Sequence, residues 1–317
     1  MLFATCSLLL VLNGCMFFSV NLAPAPAPLE EKVISGSGKD KILLMDISGV
    51  ISEKEKESGL TTMPGMVARV KEELNKAADD RRVKAIVLRI DSPGGGVTAS
   101  DIIYHEIRAF QRQTGKKVIA EIMDLGTSGG YYIAVSADKI IAQPTAVTGS
   151  IGVIMLTLNL EGLLQKIGVE GIAIKSGDKK DMGSPLRKMT PEEQKILQGV
   201  IDQMYERFLQ VVVAGRKNLD PDRVRKLADG RIYTAQQALE SGLVDQLGYL
   251  EEAIALARKE AGLTEAKVVT YYRPGSYRDN IYSQTAGGGN QTLNLINVDL
   301  HSLVQDGKPQ FMYLWMP

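Results

Sequence analysis

Apolar positions along the chain alternate between runs of strand length and helical spacing. The runs at residues 42–51, 83–90 and 117–123 predict three buried strands. Between them, apolar residues recur every three or four positions over residues 66–77 and 102–110, which predicts amphipathic helices. Strands that alternate with helices make βαβ crossovers, so the pattern predicts an α/β fold with a mostly parallel sheet.

The second half of the chain is predicted to be mainly helical. Thr190 and Pro191 form a cap and a first-turn proline for a helix over residues 191–215, whose apolar face is wider than one neighbour needs. Shorter helices are predicted at residues 221–227, 234–241 and 250–261, with a last strand at 267–271.

Two of the predicted strands end in loops that suit catalysis. The first is Asp-Ser-Pro-Gly-Gly-Gly at residues 91–96, where glycines let backbone amides approach a ligand. The second places Ser128 between a strand and a helix start, followed by Gly129 and Gly130. Taken alone, each loop is more often a simple turn or a helix cap. Loops after neighbouring parallel strands gather at one sheet edge, however, so the two are predicted to lie side by side.

Composition limits the chemistry. Lys plus Arg equals Asp plus Glu at 37 each, so the net charge gives no reason to expect nucleic acid as a partner. The two cysteines, Cys6 and Cys15, leave the rest of the chain without a disulfide framework or thiolate metal site. With His105 and His301 as the two histidines, a Ser-His-Asp triad or a multi-histidine metal site is not expected. We predict no metal and no cofactor.

If Ser128 is a nucleophile, a lysine is the alternative base. The pKa of such a lysine must fall by ~3 units from ~10.4. Its surroundings must therefore disfavour the charged form by about 4 kcal/mol, which requires a pocket without water. Candidates are Lys175, Lys179 and Lys180 in a polar loop, although such a charge run is normally a solvated surface. His105 falls within a predicted amphipathic helix, where packing or solvent exposure explains it.

The amino terminus has the pattern of an export signal. Residues 1–18 carry no charge, and their central apolar run is too short to span a bilayer but suits a secretion signal. Leu-Asn-Gly-Cys at residues 12–15 resembles a bacterial lipobox, which makes Cys15 a lipidation candidate; a plain cleaved signal or a signal anchor are the alternatives. All three predict export. We expect the protein to be membrane-associated and to face the periplasm or another extracytoplasmic side.

These patterns divide the chain into four segments. We predict a lipoprotein-like signal sequence at residues 1–14 and a Pro/Ala-rich tether at 15–40. A catalytic domain follows at residues 41–272. The tail at 273–317 is polar and glycine-rich, with two apolar segments that we expect to dock on this subunit or another.

Five motifs together resemble the family of bacterial signal peptide peptidase A (SppA), in its short single-repeat form. The resemblance covers residues 41–261. The motifs are Asp-Ser-Pro-Gly-Gly at 91–95, Gly-Thr-Ser-Gly-Gly-Tyr-Tyr at 126–132, Thr-Gly-Ser-Ile-Gly at 148–152, Lys-Ser-Gly through Lys-Asp at 175–181 and Gly-Arg-Ile-Tyr-Thr-Ala at 230–235.

This resemblance implies a serine protease on a ClpP/crotonase-like fold, built of repeated ββα units with a mostly parallel sheet and a helical extension. It implies Ser128 as nucleophile and Lys180 as general base, with Ser150 holding the lysine amine. It also implies an oxyanion hole formed by the Gly129 amide and the amide of Gly94 or Gly95.

The same resemblance implies an endopeptidase that degrades cleaved signal peptides and similar apolar peptides. It also implies a membrane-facing homo-oligomeric ring in which neighbouring subunits complete each dyad. Two other interpretations stay open: an acyl-CoA enzyme of the crotonase type, which shares the paired-amide oxyanion hole, and a non-catalytic lipoprotein scaffold of the same fold.

Overall fold

A computed structural model describes residues 28–58, 61–273 and 310–316. The predicted signal sequence, the lipidation candidate Cys15, His301 and the first apolar segment of the tail lie outside the described residues.

Within the described ranges the chain forms fourteen strands and eight helices. The strands are β1 Glu30–Gly36, β2 Lys41–Ser48, β3 Lys56–Ser58, β4 Thr61–Met63, β5 Val83–Ser92, β6 Gly94–Gly96, β7 Lys117–Thr127, β8 Lys139–Ala142, β9 Val147–Gly149, β10 Ile154–Met155, β11 Ile232–Thr234, β12 Gln246–Leu247, β13 Lys267–Tyr272 and β14 Phe311–Leu314. The helices are α1 Met66–Asp79, α2 Val97–Thr114, α3 Gly129–Ala134, α4 Glu161–Lys166, α5 Pro191–Gly215, α6 Pro221–Leu227, α7 Ala235–Ser241 and α8 Leu250–Glu260.

A nine-stranded sheet forms the centre of the fold. Its main path runs β1-β13-β2-β5-β7-β8-β12, and β9 joins the far end of β7 while β11 pairs with β9. Every pair along this path is parallel except β1 with β13, and β11 with β9 is also antiparallel. The predicted α/β fold with a mostly parallel sheet is confirmed, and it is consistent with a ClpP/crotonase-like architecture.

The two faces of the sheet bury different helices. Strand β5 shows why, because successive side chains point to opposite faces. Ile86 and Leu88 face the larger apolar core with α1 and α2, while Ala85 and Val87 face a smaller core covered by α8. Strands covered on both faces read as continuous apolar runs, which is how the sequence predicted them.

Strand β7 extends four residues beyond its predicted end at residue 123. It pairs with β5 through Ile122, and after an irregularity in register it pairs again at Gly126. On its other side β7 pairs with β9 through residues 125–127, so main-chain hydrogen bonds continue the strand past the polar Asp124. This extension brings residue 128 to the carboxyl edge of the sheet, beside the ends of β5 and β9.

Part of the predicted tether is a strand. Residues 30–36 form β1, which pairs antiparallel with β13 at the edge of the sheet, so the prediction of a linker up to residue 40 was wrong for this segment. Most of its side chains are exposed, and even Val33 is 47% exposed. An edge strand held by main-chain hydrogen bonds needs little apolar alternation, which is why the pattern did not reveal it.

The last described segment docks on the catalytic domain of its own chain. Strand β14 lies between β10 and β6 in a separate three-stranded sheet and runs antiparallel to both. Among the described helices, none combines the length and apolar character that crossing a membrane requires.

Candidate active site

Ser128 occupies a strained turn between β7 and α3. Its backbone angles are φ 52° and ψ −115°, and Ser128 and Ser150 are the two described non-glycine residues with positive φ. Such a conformation costs about 1–3 kcal/mol and concentrates at functional sites. Although Ser128 is the first residue before α3, its side chain makes no capping hydrogen bond. The alternative interpretation of Ser128 as an ordinary helix cap therefore finds no support.

The glycine loop and the Ser128 turn abut directly. A Cβ atom added to Gly129 would lie 3.2 Å from the Cα atom of Gly94 and 2.5 Å from the Oγ atom of Ser100. A side chain at this position would push the two loops apart. The glycines thus permit the side-by-side arrangement expected for the ends of parallel strands β5 and β7.

The geometry separates the two candidate oxyanion donors of the glycine loop. The Gly94 N–H donates to the Ser92 hydroxyl at 3.1 Å, so it is already engaged. Ile51 bonds the Gly94 carbonyl and the Gly96 N–H, each at 2.9 Å, from one side of β6. Because main-chain groups alternate along a strand, the Gly95 N–H points to the opposite side, into the cleft. Gly95 therefore fits the role better than Gly94.

Gly129 supplies the second candidate donor. It is the first residue of α3, so its N–H has no helical acceptor four residues before it. The N–H groups of Gly95 and Gly129 are two main-chain donors beside the Ser128 turn, and Gly95 is in register there with Tyr313 of β14. This is the arrangement that stabilises an oxyanion.

Ser150 lies beside Ser128 because β9 extends the sheet next to β7. The Ser128 N–H donates to the Gly149 carbonyl at 2.7 Å, and Thr127 is in register with Gly149. Ser150 is buried, and its N–H donates to the Arg231 carbonyl at 2.7 Å. The strained turns of Ser128 and Ser150 are thus neighbours at one edge of the sheet.

The lysine loop distinguishes Lys180 from its two competitors. Lys175 forms an ion pair with Asp181 at 2.7 Å, and Lys179 pairs with Glu192 at 2.5 Å. The Lys180 N–H donates to the Gly177 carbonyl at 3.1 Å, but the residue is exposed and its amine makes no hydrogen bond or ion pair within the described part of the chain. It is therefore the one of these three lysines whose amine is free to act elsewhere.

Ion pairs fix the loop on both sides of Lys180 to the start of α5. Arg187 bonds the Asp181 carboxylate at 2.7 Å and the Glu193 carboxylate at 2.6 Å. The Arg187 guanidinium and the Lys175 amine hold the pKa of Asp181 well below its usual range. Glu193 also closes the capping box of α5 with Thr190. The exposed lysine is thus presented from an anchored segment.

Within one chain, the proposed nucleophile and base do not meet. Ser128 is 1% exposed, Lys180 is exposed on its loop, and no hydrogen bond joins them. His105 is exposed on α2 and does not contact Ser128 through a hydrogen bond either. The single chain brings Ser128, Ser150 and the Gly95 and Gly129 amides together, and it leaves Lys180, the candidate base, apart from them.

Sequence reasoning overlooked Ser92 as a positioning residue. Its hydroxyl donates to the Gly49 carbonyl at 2.7 Å and accepts the Gly94 N–H, so it shapes the glycine loop. The position of Ser92 beside Pro93 and the glycines was the feature of the sequence that could have indicated this role. Also overlooked was an aromatic cluster one helical turn after Ser128, which begins with Tyr132.

Comparison with known proteins agrees with this geometry. Residues 110–264 match the model of peptidase family S49. A putative signal peptide peptidase SppA of Enterococcus faecium is 40% identical over 76% of this chain and 70% of its own. The putative protease slr0021 of Synechocystis sp. is 41% identical over 73% of this chain and 78% of its own. Protease 4 of Haemophilus influenzae is 38% identical over 69% of this chain but 35% of its own length. The chain belongs to peptidase family S49.

Proposed function

We propose that this protein is a membrane-tethered serine endopeptidase that uses a Ser-Lys dyad to degrade cleaved signal peptides and similar apolar peptides. The observation that carries the proposal is the strained Ser128 turn, which abuts the glycine loop and has the Gly95 and Gly129 N–H groups beside it. Membership of a peptidase family favours this function over acyl-CoA chemistry on a similar oxyanion hole.

The proposed reaction has two stages, and each stage needs two proton transfers. The Ser128 hydroxyl oxygen attacks the substrate carbonyl carbon while its proton passes to the neutral Lys180 amine. The negative oxygen that forms is stabilised by the N–H groups of Gly95 and Gly129. The lysine ammonium then protonates the departing amine, which leaves an acyl-enzyme ester. The same amine then takes a proton from water, whose oxygen attacks the ester carbonyl carbon. The bond to the Ser128 oxygen breaks, the ammonium returns its proton to that oxygen, and the acid product leaves.

A second copy of the chain would supply the missing base. Apolar residues around α4 are unusually exposed in the single chain, among them Leu163 at 57%, Ile172 at 79% and Ile174 at 101%. Such a patch marks an interaction surface, and it adjoins the lysine loop in sequence. We infer that a neighbouring subunit covers it in a homo-oligomeric ring, and that Lys180 reaches the Ser128 site across the subunit interface.

The hydrolysis of a fluorogenic apolar peptide tests the dyad. Ser128→Ala and Lys180→Ala should each abolish hydrolysis, while the matched control Lys179→Ala should stay active because Lys179 pairs with Glu192. Full activity in Ser128→Ala or Lys180→Ala would refute the assignment.

Mixing the two inactive variants tests where the base comes from. If Ser128 and Lys180 of neighbouring subunits form each site, an equal mixture reassembled at random should regain about a quarter of the activity. If both groups act within one chain, the mixture stays inactive.

Attachment to the membrane is a separate part of the proposal. It rests on the lipobox-like sequence ending at Cys15 and on the proline-rich segment after it. Cys15→Ala should move the expressed protein from the membrane fraction to the soluble fraction. If the variant stays in the membrane fraction, a signal anchor explains attachment better than a lipid.

A further inference from the structure

The Gly-Arg-Ile-Tyr-Thr-Ala motif at residues 230–235 is the one of the five sequence motifs that supplies no reacting group to the proposed reaction. It forms β11 and the first residue of α7. Strand β11 pairs with β9, and β9 pairs on its other side with β7, which leads to Ser128. The motif therefore lies two strands away from the Ser128 turn, and Ser150 follows the strand between them.

Two main-chain hydrogen bonds connect the two strained serines to these strands. The Ser128 N–H donates to the Gly149 carbonyl, and the Ser150 N–H donates to the Arg231 carbonyl, both at 2.7 Å. Gly149 has a φ of 87° and Ser150 a φ of 49°, so two successive residues have positive φ. A non-glycine residue keeps such a conformation where the surrounding structure holds it. The contacts that β11 makes with Gly149 and Ser150 are thus what maintains this turn.

The aromatic ring of Tyr233 packs directly against the backbone of Gly149. A Cβ atom added to Gly149 would lie 2.5 Å from Cδ2 and 3.1 Å from Cε2 of this ring. The Tyr233 side chain is buried, so the ring occupies a filled position in the core. It therefore limits where the Gly149 backbone can lie, and with it the start of the Ser150 turn.

The far end of the same ring is fixed by a hydrogen bond. The Tyr233 hydroxyl donates at 2.7 Å to the carbonyl of Leu227, the last residue of α6. The next carbonyl, that of Ala228, accepts a hydrogen bond from the Tyr205 hydroxyl of α5 at 2.6 Å. Val224 and Leu227 anchor α6 in the larger core. The Tyr233 ring is thus held between the end of a buried helix and Gly149.

Other side chains of the motif have different roles. The Arg231 guanidinium pairs with Asp229 and is 64% exposed, and a surface pair of this kind stabilises little. Ile232 is 40% exposed, and the Thr234 side chain caps α7. Tyr233 is therefore the side chain of β11 that bears on the turn after β9.

From these contacts we propose that Tyr233 is a positioning residue: by holding Gly149 it keeps Ser150 in its strained conformation, and so places the hydroxyl that orients the base. The proposal rests on the proposed function, since it takes Ser128 and Lys180 as the dyad. It goes further, because it assigns to a side chain two strands from the nucleophile a control over kcat.

A double-mutant cycle on the full chain tests this role. Tyr233→Leu should lower kcat about tenfold through a displaced Ser150 hydroxyl. KM should be unchanged, because β9 and β11 lie on the side of β7 opposite to β5 and its glycine loop. In a Ser150→Ala background, Tyr233→Leu should lower kcat less than about twofold further, since the hydroxyl that it displaces is gone. Thermal unfolding checks that each variant folds. An equal fold-loss of kcat in both backgrounds is what a merely structural residue gives, and it would overturn the proposal.

Two tyrosine-to-phenylalanine variants separate the ring from its hydroxyl group. Tyr233→Phe keeps the ring against Gly149 and loses the bond to Leu227, so kcat should fall at most about fivefold. Tyr205→Phe is the matched control, because it removes the same kind of bond from the neighbouring Ala228 carbonyl and should leave kcat unchanged. If Tyr205→Phe lowers kcat as much as Tyr233→Leu does, the effect comes from α6 and the assignment to Gly149 is wrong.

Hydrogen exchange tests the geometry without hydrolysis. In Tyr233→Leu, mass spectrometry of peptides that contain the Ser128 and Ser150 amides should show exchange at least about tenfold faster than in the unaltered protein. Tyr205→Phe should leave it unchanged. If exchange in Tyr233→Leu is unchanged, Tyr233 does not hold the turn, even where hydrolysis depends on Ser128. If exchange is faster but Ser128→Ala still hydrolyses peptides, the proposed function has failed and Tyr233 is a packing residue.

Discussion

Glu121 is a carboxyl group buried in the middle of the central sheet, and its replacement by glutamine gives a quantitative test of the core. The residue is 0% exposed, and neither carboxyl oxygen has a hydrogen bond. Arg89 is its register partner on β5, but the Arg89 guanidinium bonds Asp46, with Nε and Oδ1 2.6 Å apart. Burial raises the pKa of Glu121 from 4.5 to about 8, against the opposing effect of Arg89.

The number of protons bound in each state decides whether the buried Glu121 makes stability rise or fall with pH. Between the unfolded and folded pKa values, the folded protein keeps a proton that the unfolded chain has released, so stability falls as pH rises. The ionised Glu121 lowers the free energy of unfolding by at most about 5 kcal/mol relative to the neutral form. About 3 kcal/mol of this loss occurs between about pH 5 and pH 8. Glu121→Gln keeps the shape of the neutral carboxyl group and removes the titration.

Urea denaturation at several pH values measures this difference. The free energy of unfolding of the unaltered protein should fall by about 3 kcal/mol more than that of Glu121→Gln between about pH 5 and pH 8. Glu170→Gln is the matched control, because Glu170 is exposed and should leave the pH dependence unchanged. Parallel stability curves for the unaltered protein and Glu121→Gln would refute the reasoning.

Two further substitutions probe the site. Gly94→Ala should lower kcat about 100-fold, since φ is 102° and the new methyl group would lie 1.9 Å from the Tyr313 carbonyl oxygen. The control Gly115→Ala, also at positive φ but with nothing within 4 Å, should change thermal stability alone. Ser150→Ala should lower kcat at least about tenfold, because it removes the hydroxyl expected to hold the Lys180 amine; an unchanged kcat would leave Ser150 without that role.

The fold could be predicted as far as apolar periodicity determines it. Helix α5 matches its predicted bounds, because Thr190 caps it and Pro191 is its first residue. Helix α1 begins at Met66, where its regular apolar spacing begins. Strand β1 could not be predicted, since its pairing with β13 depends on main-chain hydrogen bonds between segments far apart in sequence. The antiparallel pairing of β3 with β4 was not predicted either.

The sequence was enough to predict which loops lie side by side at the candidate site, but not which of their groups point into the cleft. Parallel topology was enough to expect the Gly94 loop beside Ser128. Which glycine amide points into the cleft depends on the bonds of Ile51 and Ser92, which no local pattern specifies. The partnerless amine of Lys180 likewise depends on ion pairs made by its neighbours.

The most direct test of the central claim is mass spectrometry of the protein after treatment with an acylating serine-protease probe. The account predicts one covalent adduct on Ser128, absent from Ser128→Ala and strongly reduced in Lys180→Ala. It also predicts that labelling and peptide hydrolysis are lost together. An adduct on another serine, or a protein that hydrolyses peptides while Ser128 stays unmodified, would contradict it.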